Sequence, residues 1–155
     1  MKIEMTVIGK VSTARGFRIL VDEPWRQGLT GLQGFSHVMI LWAPHELPPW
    51  DNSALIVDKP YRLAPEKLGI FATRSPWRPS GICVSIAGIT GIREDKGELE
   101  LGWVDAQEDS PVLDIKPYHP SSDRVERPAL PRWCRHWPAS LETGGEFDWE
   151  KEFLF

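Results

Sequence analysis

The chain consists of short runs of β-branched and apolar residues that are separated by glycine, proline, aspartate and serine. The shortness of these runs limits the folds that the chain can adopt. With 14 prolines and 13 glycines among 155 residues, long regular helices have little room. "ELELGWV" alternates polar and apolar residues, as a strand with one face in water does. "HVMILWA" is apolar throughout, which is typical of a strand covered on both faces or closing a barrel. These patterns predict an all-β fold, an antiparallel sandwich or barrel.

Seven strands and one short helix follow from the patterns. The strands are predicted over residues 6–11, 17–22, 37–42, 69–73, 84–89, 98–104 and 112–115, and the helix over residues 24–32. Residues 45–67 form a long loop with prolines at both ends. From Pro117 onward the chain is irregular and rich in proline and tryptophan. We therefore expect a barrel domain over residues 1–120 and a C-terminal extension over residues 121–155 that packs on the barrel.

Composition narrows the classes of function. The length favours one domain, and the net charge of -4 argues against broad binding of polyanions, although a local basic patch remains compatible with it. Cys83 and Cys134 form no metal-binding spacing, so we expect no metal site and reduced thiols in a cytoplasmic protein. The start resembles no signal peptide, and "VMILWAP" is too short to span a membrane.

One loop is unusually rich in arginine. "ATRSPWRPS" places Arg74 and Arg78 directly after an apolar run, with Pro76 and Pro79 among them. Proline stiffens the backbone, and arginine presents a rigid fork of donors that suits carboxylates, phosphates and aromatic faces. The loop therefore fits either the wall of a binding site or a structural turn in which Arg74 pairs with a carboxylate.

Two further clusters carry chemically useful side chains. His45 and Glu46 end the apolar strand, where they can transfer protons, hold polar groups of a ligand, or lie on the surface without a role. The second cluster is acidic. Its closely spaced carboxylates can bind a metal ion, a ribose or an ammonium group, or they can belong to a solvated turn without a ligand. Its carboxylates are Asp105, Glu108, Asp109 and Asp114, and Lys116, Tyr118 and His119 follow them.

Three segments in this order resemble the signature blocks of the TsaA-like family, whose best known members are the bacterial tRNA methyltransferase O enzymes. They are "GFSHVMILWAPH", "GIFATRSPWRP" and "DSPVLDIKPYHP", and the opening "VIGKV" is similar to the family's first strand. The resemblance spans roughly residues 6–120. It implies a small antiparallel β-barrel, a homodimer and S-adenosylmethionine as cofactor. It also implies methylation of N6 of threonylcarbamoyl-adenosine beside the anticodon of threonine tRNA.

The resemblance also implies cofactor-binding roles for individual residues. These positions fall on His45, Glu46, Arg74, Val84, Glu108, Asp109, Ser110 and Pro111. Beyond the resemblance, we assign Arg78 and Lys116 to the polyanionic substrate by hypothesis, and Asp114, Tyr118 or His45 is a candidate general base.

This chain departs from the family pattern in three places. Ser80–Cys83 replaces an Asn-Pro-Ile-Gly segment, and an early loop that carries a Pro-Arg-Gln segment in the family is shortened to residues 12–17. A DGTP turn has become EDSP, so Asp109 stands where glycine would allow a positive φ, a region that aspartate tolerates better than most residues. Two alternatives therefore stay open beside the tRNA enzyme: a methyltransferase for a smaller acceptor, and a non-catalytic cofactor-binding module.

Overall fold

The structure is a computed structural model that describes residues 3–154, and it is dominated by antiparallel strands. In chain order the strands are β1 Gly9–Ser12, β2 Arg18–Val21, β3 His37–Trp42, β4 Ile56–Asp58, β5 Lys67–Gly69, β6 Cys83–Arg93, β7 Glu98–Leu101 and β8 Pro111–Pro117. The prediction for β3 is confirmed residue for residue, because its unbroken apolar run ends at Ala43 and Pro44.

Six of these strands form a closed barrel in the order β1-β2-β7-β6-β3-β8. All the pairings are antiparallel, and β8 closes the barrel by pairing Val112 with Gly9 and Pro111 with Lys10. Inward-facing side chains fill the interior, and Val11, Ile19, Ile40, Leu99 and Val112 are all fully buried. The predicted all-β barrel is therefore confirmed.

The helices are short, as the many prolines require. The α-helices are α1 Pro120–Asp123, α2 Leu141–Gly144 and α3 Trp149–Glu152. The 3-10 helices are Glu23–Leu29, Asn52–Leu55, Ile70–Ala72, Glu94–Lys96 and Arg132–Cys134. The helix predicted over residues 24–32 is thus a shorter 3-10 helix, which begins at Glu23, has Pro24 in its first turn and contains Gly28. No described helix is long and apolar enough to cross a membrane.

The strand predicted over residues 69–73 is wrong. Gly69 ends β5, and Ile70–Ala72 forms a 3-10 turn. The backbone N–H and the hydroxyl of Thr73 both donate to the carbonyl of Ile70, at 3.1 and 2.9 Å, and this closes the turn. The loop predicted over residues 45–67 also contains structure, because β4 pairs with β5. Three-residue strands are too short to show an alternating pattern.

The chain contacts divide into two compact units. The barrel unit comprises the residues through Pro49 together with Ser80–Arg124, and the second unit comprises Trp50–Pro79 together with the residues from Val125 onward. The tail therefore belongs with the 50–79 segment, and its packing on the barrel stays a prediction.

An aromatic cluster organises the second unit. The ring of Tyr61 stacks on Trp133 at 5.4 Å, and Trp137 meets it edge-on at 5.0 Å. The backbone of Phe153 forms a bridge with Tyr61, and the N–H of Leu154 donates to the carbonyl of Pro60. The tryptophans of the irregular tail thus bury one another's surface and tie the tail to residues 60–62.

Replacing Gly9 by alanine should destabilise the barrel by about 2–3 kcal/mol. A Cβ at this position would overlap the carbonyl oxygen of Leu20 and lie 2.9 Å from the Cα of Val21, so β1 would have to move from β2. Urea denaturation measures the loss. Gly28→Ala is the matched control, because a Cβ there meets no atom within 4 Å, and an equal effect of both substitutions would contradict the account.

Candidate functional site

Several chain segments meet at one end of the barrel, which we call the Ser110 end. Trp42 at the end of β3 pairs with Cys83 at the start of β6 and with Val112 near the start of β8. The N–H of Ala43 donates to the carbonyl of Pro111 at 2.9 Å, and the N–H of Val11 donates to that of Ser110 at 2.9 Å. The loop after β1, residues 43–46, residues 81–84 and the turn before β8 are therefore neighbours.

The turn before β8 has the shape that its family position requires. Asp109 has φ = 62°, in the left-handed region that glycine would occupy most easily. Its N–H donates to the carbonyl of Val11 at 2.9 Å, and its carboxylate accepts from Lys10 Nζ at 2.7 Å. Aspartate thus keeps the turn while adding a charge that Lys10 partly neutralises.

Glu108 ties this turn to the loop after β1. Its Oε2 accepts from the backbone N–H of Thr13, from the Thr13 hydroxyl at 3.0 Å and from the N–H of Ala14 at 3.1 Å. These hydrogen bonds, that from the Thr13 backbone first, hold the pKa of Glu108 below its usual value. Glu108 is therefore charged at neutral pH and fixes the path of the loop.

Ser110 and His45 bring a hydroxyl and an imidazole together. Ser110 is only 1% exposed, and its Oγ lies 3.5 Å from His45 Nδ1. On the other side of the ring, Nε2 lies 4.0 Å from Glu46 Oε1, and the Glu46 side chain is 62% exposed. The row of Ser110, His45 and Glu46 therefore runs from a buried hydroxyl to a solvated carboxylate.

The start of β6 adds apolar surface to the same end. Val84 pairs with Leu41 and is 37% exposed, although it lies in the middle of the sheet. Gly81, with φ = 56°, turns the chain just before β6 near the ring of Pro44. A small-molecule site requires apolar surface that contacts the ligand and a few polar groups that fix the ligand's orientation, and the Ser110 end has both.

Asp114 and Lys116 form an ion pair on the outside of β8. Lys116 Nζ lies 2.5 Å from Asp114 Oδ2, and the backbone N–H of Ile115 donates to Oδ1 at 2.9 Å. The hydrogen bond and the charge of Asp114 raise the pKa of Lys116. Asp114 and Lys116 are therefore paired with each other in this structure. The general-base role assigned to Asp114 and the substrate-binding role assigned to Lys116 stay predictions.

Tyr118 lies away from the Ser110 end. It follows β8, its N–H donates to the carbonyl of His37, and its ring meets the His37 ring edge-on at 6.4 Å. At about 3.3 Å per residue, roughly 23 Å of strand separate it from Pro111. The role of Tyr118 as general base stays a prediction. The distance between Tyr118 and the Ser110 end of the same protomer argues against it.

Arg74 and Arg78 belong to the second unit, and their ligand roles stay predictions. Arg78 Nη1 donates to the carbonyl of Thr73 at 3.4 Å, so it braces its own loop, whereas Arg74 is exposed. The rings of Trp77 and Trp50 lie 5.4 Å apart within the same unit. These contacts agree with the stiffness predicted for the loop.

Sequence reasoning missed Lys10 and Thr13 as supports of the turn before β8. Their partners lie 99 and 95 residues away along the chain, and no short motif links such positions. A groove of about 380 Å³ lies elsewhere on the barrel unit, and none of the predicted site residues lines it. Within residues 3–154, no group of three or more histidine, cysteine, aspartate or glutamate side chains could hold a metal ion.

The sequence matches the family model described as the tRNA-methyltransferase O N-terminal domain over residues 4–124. The chain belongs to this family. The match spans both halves of the barrel unit, so the Ser110 end lies wholly within the family domain.

Named relatives of the family are similar over most of the chain. The tRNA (adenine(37)-N6)-methyltransferase of Escherichia coli is 34% identical over 122 residues, which cover 76% of this chain and 51% of that protein. An S-adenosyl-L-methionine-binding protein of Archaeoglobus fulgidus is 32% identical over 123 residues, which cover 77% of this chain and 80% of that protein. The crystal structure of TrmO from Pseudomonas aeruginosa superimposes with a TM-score of 0.65 at 28% identity, over 83% of this chain and 62% of that chain.

The chain thus spans about half the length of the E. coli enzyme and most of the length of the archaeal protein. Each of the two alignments covers about three quarters of this chain. The activity and the substrate of the E. coli enzyme are therefore proposals for this chain.

Proposed function

We propose that this protein is an S-adenosylmethionine-dependent methyltransferase that methylates N6 of threonylcarbamoyl-adenosine in the anticodon loop of tRNA. One observation carries the proposal: the family positions on His45, Val84 and Glu108–Pro111 meet at one end of the barrel. The chain belongs to a family in which the E. coli relative is named a tRNA (adenine(37)-N6)-methyltransferase.

The chemistry of the Ser110 end fits S-adenosylmethionine. That molecule has a ribose diol, a methionine ammonium and carboxylate, an adenine ring and a cationic sulfur, and it supplies a methyl group on that sulfur. Carboxylates of Glu46 and Asp109 suit the diol and the cationic groups, and the exposed face of Val84 suits the adenine. The family resemblance assigns Arg74 to the cofactor as well, and a guanidinium suits the cofactor's carboxylate.

Positioning accounts for most of the catalysis that the proposal requires. The methyl group moves in line from sulfur to N6, the N6 proton leaves, and the sulfur ends neutral. Rigid placement of the two reactants can supply a large part of the acceleration without covalent catalysis by the protein. The anchored turn at Glu108 and Asp109 provides rigidity, because both residues are tied to β1 or to the loop that follows it.

His45 is the general base that we favour among the three candidates. It is one-third exposed, lies at the Ser110 end, and has Glu46 on one side and Ser110 on the other. Asp114 is held by Lys116, and Tyr118 lies near the opposite end of β8. An imidazole at this position can act as a general base toward the N6 proton.

Transfer of a labelled methyl group tests the function directly. The purified protein is incubated with S-adenosylmethionine and threonine tRNA that carries threonylcarbamoyl-adenosine, and the same tRNA without that modification is the control. Label in the modified tRNA alone supports the proposal. Cofactor binding with no label in either tRNA would overturn it and favour a binding module.

We also propose that the protein is cytoplasmic, as its two isolated cysteines indicate, and that it forms a homodimer, as the family resemblance implies. The outer face of β3 and β6, where Met39 pairs with Ile86, offers partly exposed apolar surface for a second copy. Light scattering during gel filtration gives the mass in solution, and a mass of 17.6 kDa at micromolar concentration would rule the dimer out.

A further inference from the structure

One aromatic side chain of the second unit is presented to solvent. Phe71 is 75% exposed, the largest exposure among the large hydrophobic residues that the structure describes. The residues at the two ends of the turn behave differently, since Ile70 is 2% and Thr73 is 7% exposed, whereas Ala72 beside the ring is exposed as well. The ring of Phe71 therefore packs little against its own turn and offers most of its surface to a ligand.

The turn that carries Phe71 is fixed at both ends. Ile70 is buried, and its carbonyl accepts both the N–H and the hydroxyl of Thr73. Thr73 Oγ1 in turn accepts from the N–H of Ser75 at 3.3 Å, and the Thr73 carbonyl accepts from Arg78. The ring is therefore presented by a preorganised backbone, which reduces the entropy lost when a ligand binds.

The charge around this turn favours an anionic partner. The sequence has no aspartate or glutamate from Lys67 to Arg93, whereas Arg74 and Arg78 follow Phe71 closely. The whole chain has a net charge of -4, so this stretch is basic against an acidic background. An RNA strand offers these arginines a regular row of phosphates and also offers bases that can stack on Phe71.

We propose that Phe71 stacks on an unpaired nucleobase of the RNA substrate. Single-stranded loops are recognised by aromatic rings that stack on exposed bases, with basic groups beside the backbone. This inference rests on the proposed function. Phe71 precedes Arg74 by three residues, so their Cα atoms are at most about 11 Å apart. A base stacked on Phe71 is therefore close to a guanidinium of the same unit.

Affinity for RNA measures this role. The probes are a fluorescein-labelled single-stranded oligoadenylate and an anticodon stem-loop, titrated with protein and followed by anisotropy. Phe71→Ala should bind both about 10- to 100-fold more weakly, and Phe71→Trp should keep the affinity. The slope of log affinity against log salt should stay unchanged, because the substitution removes no charge.

The matched control is Phe35→Ala, which removes a phenylalanine that is 38% exposed on the barrel unit. Equal affinities of Phe71→Ala and wild type would overturn the stacking role while leaving the proposed function intact. A change of sedimentation coefficient with unchanged RNA affinity would also overturn it and mark the surface as a contact between copies. If wild type binds neither RNA but binds S-adenosylmethionine, the tRNA function itself fails and this inference with it.

Discussion

Replacing Glu152 by alanine should destabilise the second unit by about 2–3 kcal/mol. Glu152 is 1% exposed, and its Oε2 lies 3.0 Å from His136 Nε2 and 3.4 Å from Arg62 Nε. Removal of the carboxylate leaves two cationic or polar groups without their partner at the point where the tail meets residues 60–62. Urea unfolding followed by tryptophan fluorescence measures the loss, since Trp133 and Trp137 lie in the same cluster.

The control is Glu150→Gln, which changes an exposed carboxylate on the same helix α3 and should leave stability unchanged. The pH dependence gives a second check. Burial raises the pKa of Glu152, but the hydrogen bond from His136 and the charges of His136 and Arg62 outweigh it, so the pKa lies below its usual value.

A lowered pKa has a definite consequence for stability. The contribution of Glu152 is fully present above the unfolded value of about 4.3 and is lost as the pH falls through the lower folded value. Glu152→Gln should therefore flatten the acid limb of the stability profile. An unchanged acid limb would show that the buried carboxylate does not stabilise the second unit.

Replacing Arg74 by alanine should weaken binding of S-adenosylmethionine about 10- to 100-fold. A charge-assisted hydrogen bond to the cofactor carboxylate contributes roughly 1.5–3 kcal/mol, which corresponds to that range. Isothermal titration calorimetry at constant pH gives both dissociation constants. Thermal melting of the variant checks that the substitution leaves the fold intact.

Arg78→Ala is the matched control for this experiment, because it removes a second arginine of the same loop that instead donates to the Thr73 carbonyl. It should weaken RNA binding more than cofactor binding. If Arg74→Ala binds the cofactor as wild type does, the role that the family resemblance assigns to Arg74 is wrong.

The sequence predicted the barrel because its strands carry their own signal. The apolar run of β3 is bounded by proline, and the core positions of β1, β2 and β7 follow a period of two. Asp109 could also be anticipated, since its family position requires a positive φ that aspartate tolerates. These predictions depend on residues close together in the chain.

Predictions that needed distant partners failed or could not be made. Residues 69–73 have the composition of a strand, but the bonds from Thr73 to Ile70 make a turn of them. The sequence does not distinguish Glu152 from the other acidic residues of the charged tail, because its partners Arg62 and His136 lie 90 and 16 positions away. Lys10 and Thr13 support the site for the same long-range reason.

The proposed function requires S-adenosylmethionine to bind at the Ser110 end of the barrel. The most direct test is a titration of ¹⁵N-labelled protein with the cofactor, followed by amide chemical shifts. We predict shifts at residues 43–46, 81–84 and 107–111, with little change at His37 and Tyr118 at the far end of β3 and β8. Shifts confined to the far end, or none at millimolar cofactor, would contradict the claim.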